Sequence, residues 1–540
     1  MRIPSFVGKP AFDIFSIAFA IINRCILVHY ASSIGKDKRM HLSMAENLLD
    51  GRGLGLTKYY FNDVYTPVFD QSQPFPPGYS LLIAPFLKIF KNEYVATTIL
   101  DIIVAIAFIL TIRWCCKKIG FKPATVNLIT IITGCFQYNF FLNSTPTDAI
   151  NLTLLFAGIG MAISLATVDS KTISARQIMF SAFLFFLPGF FRYLSVPIGL
   201  LLPMLLVAIG YLRKDRLLLK KSLLVFLITA ILTAGLFVFL FQYAGSAPPT
   251  YHTKPGFYPE NLVRWYPFLP ATFINLGFAA QQVERVSAYT YLEAFIAFEI
   301  LNAVLFLVFC LLFVIWYRRY CLTSVQSGPG IFIYFGVAIS MLILGVLMFL
   351  ASRWAPKPGP ISATLLSVDR YFSFINIFIQ VVLIAWVTGD AFKSYNRILK
   401  FLAIAGVIIL GVEILHGIYY NAKIVFFSNG MSIKQTIHRD YEYLDKLCDS
   451  LSNQNRQHRI LVTSHDKVYP QLAIKAGYTG VFDIENIDKA PIRLKEKALL
   501  VLPISQWDLW KMKDYLETHK SELAATVSGT RFYILELSPQ

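Results

Sequence analysis

Residues 213–243 read RKDRLLLKKSLLVFLITAILTAGLFVFLFQY. Five basic residues, Arg213, Lys214, Arg216, Lys220 and Lys221, crowd its start, and no formal charge follows from Ser222 to Tyr243. As a helix this uncharged stretch is about 33 Å long, enough to cross a hydrocarbon core of about 30 Å. A basic flank on such a run marks the cytoplasmic side.

The same pattern recurs along the chain. Candidate spans lie at about 11–30, 94–113, 122–141, 149–167, 177–191, 195–211, 222–243, 295–317, 331–351, 371–388 and 400–420. The pair 177–191 and 195–211 is short and has the look of broken helices, split by Phe190-Phe191-Arg192-Tyr193. Composition agrees: of 540 residues 56% are hydrophobic and only 15% charged, against about 25% charged in soluble domains. Mean hydropathy is +0.56. The expected fold class is therefore an α-helical multi-spanning membrane protein of about 11 transmembrane helices, carrying a small C-terminal α/β domain outside the membrane. The apolar run from Ala11 to about Val28 contains Asp13 and Arg24 and no small-residue cleavage site. It reads as a first span that also targets the chain.

The net charge of +17 would suggest nucleic acid in a soluble protein. Its distribution says otherwise. With the N-terminus inside, the inside loops hold Arg113, Lys117, Lys118 and Lys122; Lys171 and Arg176; the 213–221 cluster; Arg318 and Arg319; and Lys393, Arg397 and Lys400. The outside loop at 142–148 holds none. This is positive-inside patterning, no nucleic-acid partner is implied, and an odd span count puts the tail outside. The expected location is a bacterial cytoplasmic (inner) membrane, with the lipid bilayer as a partner. Counting Pro76–Phe86 as a span would invert every later loop, so it reads as a helix on or dipping into the outer face. Cys448 is the one cysteine expected outside, so no intramolecular disulfide is available there.

Domain boundaries follow: 1–420 in the membrane, with a first outer loop at 31–93, and 421–540 outside. In the first loop, residues 38–49 (KRMHLSMAENLL) have helical spacing, Gly51, Gly53 and Gly55 end that helix, and Tyr59, Tyr60, Phe61 and Tyr65 follow. The expectation is two surface helices joined by an aromatic loop. The second outer loop, 244–294, is rich in Pro, Tyr and Trp, as at interfacial belts. In the tail, 459–463 and 498–502 read as buried strands, 531–537 as an edge strand and 506–523 as a helix. His438, His458 and His465 are scattered, without metal-ligand spacing.

One pattern carries chemistry. Asp37 is followed by Ala45, Asn47-Leu48-Leu49 and Gly51-Arg52-Gly53. Then come Pro76-Pro77-Gly78-Tyr79, Leu81-Leu82-Ile83-Ala84-Pro85-Phe86 and Phe90. This resembles the integral-membrane glycosyltransferases of the GT-C fold. The likeness is to the bacterial branch related to protein O-mannosyltransferases, the lipid A aminoarabinose transferase and the rhizobial galacturonosyltransferases. The motif spans 37–90, with weaker echoes at Thr147-Asp148, Phe191-Arg192-Tyr193 and Asp369-Arg370-Tyr371.

The resemblance implies transfer of a sugar from a polyprenyl-phosphate donor to a glycan, glycolipid or protein acceptor on the outer face. It implies Asp37 as general base. Lys38, Arg39, Arg192, Arg353 and Arg370 are the candidates for the donor phosphate, with Arg353 and Arg370 first. His41 and Asp148 are candidates for sugar or acceptor, and Asp369 and Tyr371 flank Arg370 as substrate-binding candidates. Many relatives have two adjacent acidic residues where this chain has Lys36-Asp37-Lys38. A divalent metal therefore lacks a second carboxylate beside Asp37, and no cofactor is expected.

Two other functions fit parts of the pattern. A surface-polysaccharide polymerase or ligase also uses large outer loops and outer arginines. A lipid-linked oligosaccharide flippase or transporter would instead show inverted repeats and charges deep in several spans. No internal repeat is visible, and most spans are free of charge.

Overall fold

The computed structural model describes residues 5–32, 34, 36–60, 63–70, 76–138, 146–244, 328–351, 373–389, 397–427, 432–454, 459–464, 481–483, 494–495, 497–505, 509–527 and 529–538, with single positions between 257 and 304. The expected span at 295–317 and the loops at 245–294 and 352–370 lie essentially outside the described residues.

The membrane part is built from α1 (Pro10–Ala31), α4 (Glu93–Ile119), α5 (Pro123–Cys135), α6 (Pro146–Thr167), α7 (Ala175–Phe191), α8 (Val196–Leu212), α9 (Arg216–Ala244), α10 (Pro329–Ala351), α11 (Ser373–Thr388) and α12 (Arg397–Phe427). Among the described residues, six helices are long and apolar enough to cross a membrane: Pro10–Ala31, Glu93–Ile119, Thr147–Thr167, Tyr193–Leu212, Arg216–Leu240 and Lys400–Phe426. The protein is an integral membrane protein. Its helices share one apolar core, from Phe108 and Ile112 of α4 through Phe156 of α6 and Leu202 of α8 to Tyr334 of α10 and Phe378 of α11. Their other faces leave Ile231, Phe401 and Leu415 exposed, as lipid-facing surfaces do.

Charged groups inside the bundle are paired. Asp13 of α1 takes an ion pair from Arg113 of α4, and Arg113 also donates to Asn127 Oδ1 (2.9 Å). Arg24 is fully buried. It donates to the Thr133 and Phe136 carbonyls, the latter at 2.7 Å, and its guanidinium stands over the Tyr138 ring at 5.2 Å. This explains a departure from expectation. The run 122–141 forms a helix of only 13 residues, ending at Cys135; that is about 20 Å, short of a full crossing. The last carbonyls of a helix lack partners within it, and Arg24 supplies donors to two carbonyls at this end.

The segment expected as the first outer loop folds as α2 (Lys36–Leu49), a hairpin of β1 (Leu56–Tyr60) and β2 (Asp63–Asp70), and α3 (Gly78–Phe90). Both helices were expected. The aromatic joint is not a loop: β1 and β2 pair antiparallel, Leu56 opposite Asp70 and Lys58 opposite Val68. Its β-branched and aromatic residues favour a pleated surface. Element directions put α2 and α3 at one end of the bundle and the clusters 113–122, 171–176 and 213–221 at the other.

After α12 comes α13 (Ile433–Gln454) and a mixed five-stranded sheet of β3 (Arg459–Ser464), β4 (Val481–Asp483), β5 (Ala498–Ser505), β6 (Glu522–Val527) and β7 (Thr530–Leu537), with α14 (Leu509–Thr518). The sheet order is β4-β3-β5-β7-β6. Thus the strand expected at an edge, β7, sits between β5 and β6. Alternation reports which face is buried, not how many neighbours a strand has. One sheet face packs Phe532 and Val501 on Leu444 and Cys448 of α13; the other packs Leu500 and Leu535 on Leu516 of α14.

Candidate active site

Asp37 lies in the first turn of α2, between Lys36 and Lys38. The residues after it tie α2 down. Lys38 Nζ donates to Asp101 Oδ2 of α4 at 2.7 Å, and Ser32 Oγ, just beyond α1, donates to the same oxygen at 3.1 Å. Arg39 forms a buried ion pair with Glu93, also of α4. Both candidate phosphate cations of α2 therefore point into carboxylates of one neighbouring helix.

His41 is buried between α2 and α3. Its Nδ1 is 3.0 Å from Ser80 Oγ, and its ring stands edge-on to Tyr79 with centroids 5.3 Å apart. Burial pushes its pKa down from 6.5 to about 3, so the ring is neutral near pH 7. Tyr79 is fully buried, and burial raises its phenol well above the usual value. An apolar layer of Leu42, Ala45, Ile83 and Leu87 closes α2 on α3 and joins them to Ala96 and Leu100 of α4, Ile150 of α6 and Phe191 of α7.

The two inner echoes of the pattern meet at this layer. Arg192, at the junction of α7 and α8, donates from Nη1 to Oδ1 of Asp148 in the first turn of α6. Among the described residues, Asp148 Oδ2 is buried with no hydrogen-bond partner. Beside them the Pro-Pro-Gly-Tyr turn presses on the end of α7. A Cβ added at Gly78 would lie 2.6 Å from the Phe190 carbonyl oxygen, so glycine is required for this approach.

A cavity of about 300 Å³ opens where the C-terminal ends of α2 and α3 meet the start of α4, lined by Glu46, Leu49, Asp50, Leu87, Lys91 and Glu93. The tail reaches the same end. The ring of Tyr94 of α4 packs tilted against that of His438 of α13, with centroids 4.6 Å apart, and against the tail core beside Tyr443 and Leu447, and β1 lies next to β4. Among the described residues, no group of three or more His, Cys, Asp or Glu side chains is placed to hold a metal ion.

Arg353, Asp369, Arg370 and Tyr371 lie outside the described residues, as do His458 and His465. Sequence reasoning missed Asp101, Glu93 and Ser80. Asp101 had a signal: it is a carboxylate inside an expected span, and such residues are costly unless paired or functional.

No family model and no curated protein matches the chain. Among solved structures it is similar to ArnT from Cupriavidus metallidurans bound to undecaprenyl phosphate, with 10% identity, a TM-score of 0.48, and 98% of each chain covered. It is also similar to the archaeal oligosaccharyltransferase AglB from Archaeoglobus fulgidus in complex with an inhibitory peptide and a dolichol-phosphate. There identity is 10%, the TM-score 0.49, and coverage 95% of this chain and 71% of that one. Both neighbours are GT-C fold membrane glycosyltransferases.

Proposed function

We propose that the protein transfers a sugar from a polyprenyl-phosphate-linked donor to an acceptor on the outer face of the membrane, with inversion and with Asp37 as general base. The observation that carries this reading is the convergence of three separated segments at one end of the bundle. The α2–α3 layer, Asp148 at the start of α6, and Phe191-Arg192 at the end of α7 pack together. These are the segments that carry the sequence resemblance.

In this reading the acceptor hydroxyl gives its proton to the Asp37 carboxylate as its oxygen attacks the anomeric carbon. The bond from that carbon to the phosphate oxygen breaks, and the electron pair leaves with the lipid phosphate. The leaving phosphate gains charge and needs cations. Arg353 and Arg370 are assigned first, then Arg192: Lys38, Arg39 and Arg192 all pair with carboxylates, but the Arg192 side chain is 16% exposed against 3% for each of the other two. The unpartnered Oδ2 of Asp148 is assigned to a substrate hydroxyl. No nucleotide sugar is available outside the membrane, so a donor activated by its lipid phosphate meets the need.

We assign 1–420 to the membrane domain, with about 11 spans, and 421–540 to an extracytoplasmic domain. The N-terminus is assigned to the cytoplasm and the protein to the bacterial inner membrane. The test is mass spectrometry of surface glycans, glycolipids and glycoproteins from a strain lacking the gene, complemented with wild type or Asp37→Asn. A sugar missing from one class in the deletion and in Asp37→Asn names donor and acceptor. Wild-type products in Asp37→Asn, at normal protein level, overturn the base assignment.

A further inference from the structure

Asp101 sits two turns inside α4, yet it takes bonds from residues on either side of Asp37. Ser32 precedes that residue and Lys38 follows it, and both donate to the same carboxylate oxygen, at 3.1 and 2.7 Å. The Lys38 side chain is 3% exposed and that of Asp101 14%. A buried pair of this kind holds one geometry because either charge alone would be expensive there. Ser32 and Lys38 bracket Asp37 in the chain, six positions apart, and both are fixed to one point on a packed helix.

We propose that Asp101 is a positioning residue: its carboxylate fastens Ser32 and Lys38, the described residues that bracket Asp37 in the chain, and keeps the Lys38 ammonium turned onto α4. Lys38 then acts as a tether, not as a phosphate ligand. Arg39–Glu93 and His41–Ser80 extend the fastening along α2, while Asp101 holds the chain on both sides of Asp37. Proton abstraction depends on placing the base within hydrogen-bond reach, and a misplacement of about 1 Å costs on the order of a hundredfold in rate. This inference rests on the reading of Asp37 as the base.

The test uses the full chain in washed membranes with their endogenous lipid-linked donor and acceptor. The product found to be missing from the deletion strain is quantified per folded protein, the latter from size exclusion in detergent. Asp101→Asn is expected to lower the rate at least tenfold while folded protein stays within about twofold of wild type. Asp101→Glu, which keeps the charge, is expected to stay within threefold of wild type. Ser32→Ala removes one arm of the clamp and is expected to lower the rate about two- to fivefold with no loss of folded protein. That second variant carries the test should Asp101→Asn fail to fold.

An Asp101→Asn rate equal to wild type overturns the proposal. So does a loss that only tracks folded protein, an Asp101→Glu variant no better than Asp101→Asn, or a Ser32→Ala variant with the full rate. Asp37→Asn, run alongside, separates the two readings. If it is active, the base assignment fails; if it is dead while Asp101→Asn is fully active, the clamp alone fails.

Discussion

Arg192 and Asp148, forty-four residues apart in the chain, form an ion pair in which the carboxylate side chain is 3% exposed and the arginine 16%. The pair fastens the α7–α8 junction to the start of α6. Removing one partner of a buried pair leaves a charge without compensation and costs about 3 kcal/mol or more, whereas replacing both with apolar residues is often tolerated. We expect Arg192→Leu to lower the melting temperature of the detergent-solubilised protein clearly. The double variant Arg192→Leu/Asp148→Leu should recover most of that loss and still fail to make product. A double variant with wild-type product would remove both residues from the site.

His41 gives the α2–α3 layer a pH dependence. Its folded pKa is about 3, against 6.5 for the free side chain, so between those values the unfolded chain binds a proton that the folded chain does not. Stability therefore falls as the pH drops from about 6.5 toward 3, by at most about 1.4 kcal/mol per pH unit from this group. Thermal melts from pH 7 to pH 4 should show the decline. In His41→Phe the curve should be flatter, though lower at pH 7 because Ser80 loses its partner.

Arg24 predicts a stringent requirement for geometry. Its two carbonyl partners, Thr133 and Phe136, lie three residues apart at the end of α5. Both bonds leave one nitrogen, Nη2, at the end of a planar guanidinium that also lies over the Tyr138 ring; a lysine ammonium lacks that plane and does not combine the two contacts. Hydrogen bonds to a charged group contribute about 1.5–3 kcal/mol each. Arg24→Leu should therefore lose about 3 kcal/mol, and Arg24→Lys should recover less than half of it in melting experiments. Equal stability for lysine and arginine would contradict the assignment of Arg24 as the cap of α5.

Gly78 offers a test of the contact between the first loop and the bundle. A methyl group there meets the Phe190 carbonyl at 2.6 Å, and overpacking of this kind costs about 1–3 kcal/mol. Gly78→Ala should shift α3 away from α7. Limited proteolysis should then cut the first loop faster than in wild type, while the melting of the tail sheet stays unchanged.

The sequence by itself determined the class of molecule, because uncharged runs about 20 residues long admit few solutions in a bilayer. It also located α2 and α3, whose helical spacing and Gly and Pro boundaries are local signals. It offered Asp37, Asp148 and Arg192 as candidates without showing that the last two pair. What only the tertiary structure decided is partnership. Lys38 and Arg39 look like free cations in the sequence and are held by Asp101 and Glu93; Arg24 looks like an anomaly in a span and caps a shortened helix; β7 looks like an edge and is internal. Periodicity and propensity report the environment of a residue along its own element. The partner that satisfies a buried charge, or the strand that takes a ladder of hydrogen bonds, comes from a distant part of the chain and is fixed only when the elements pack.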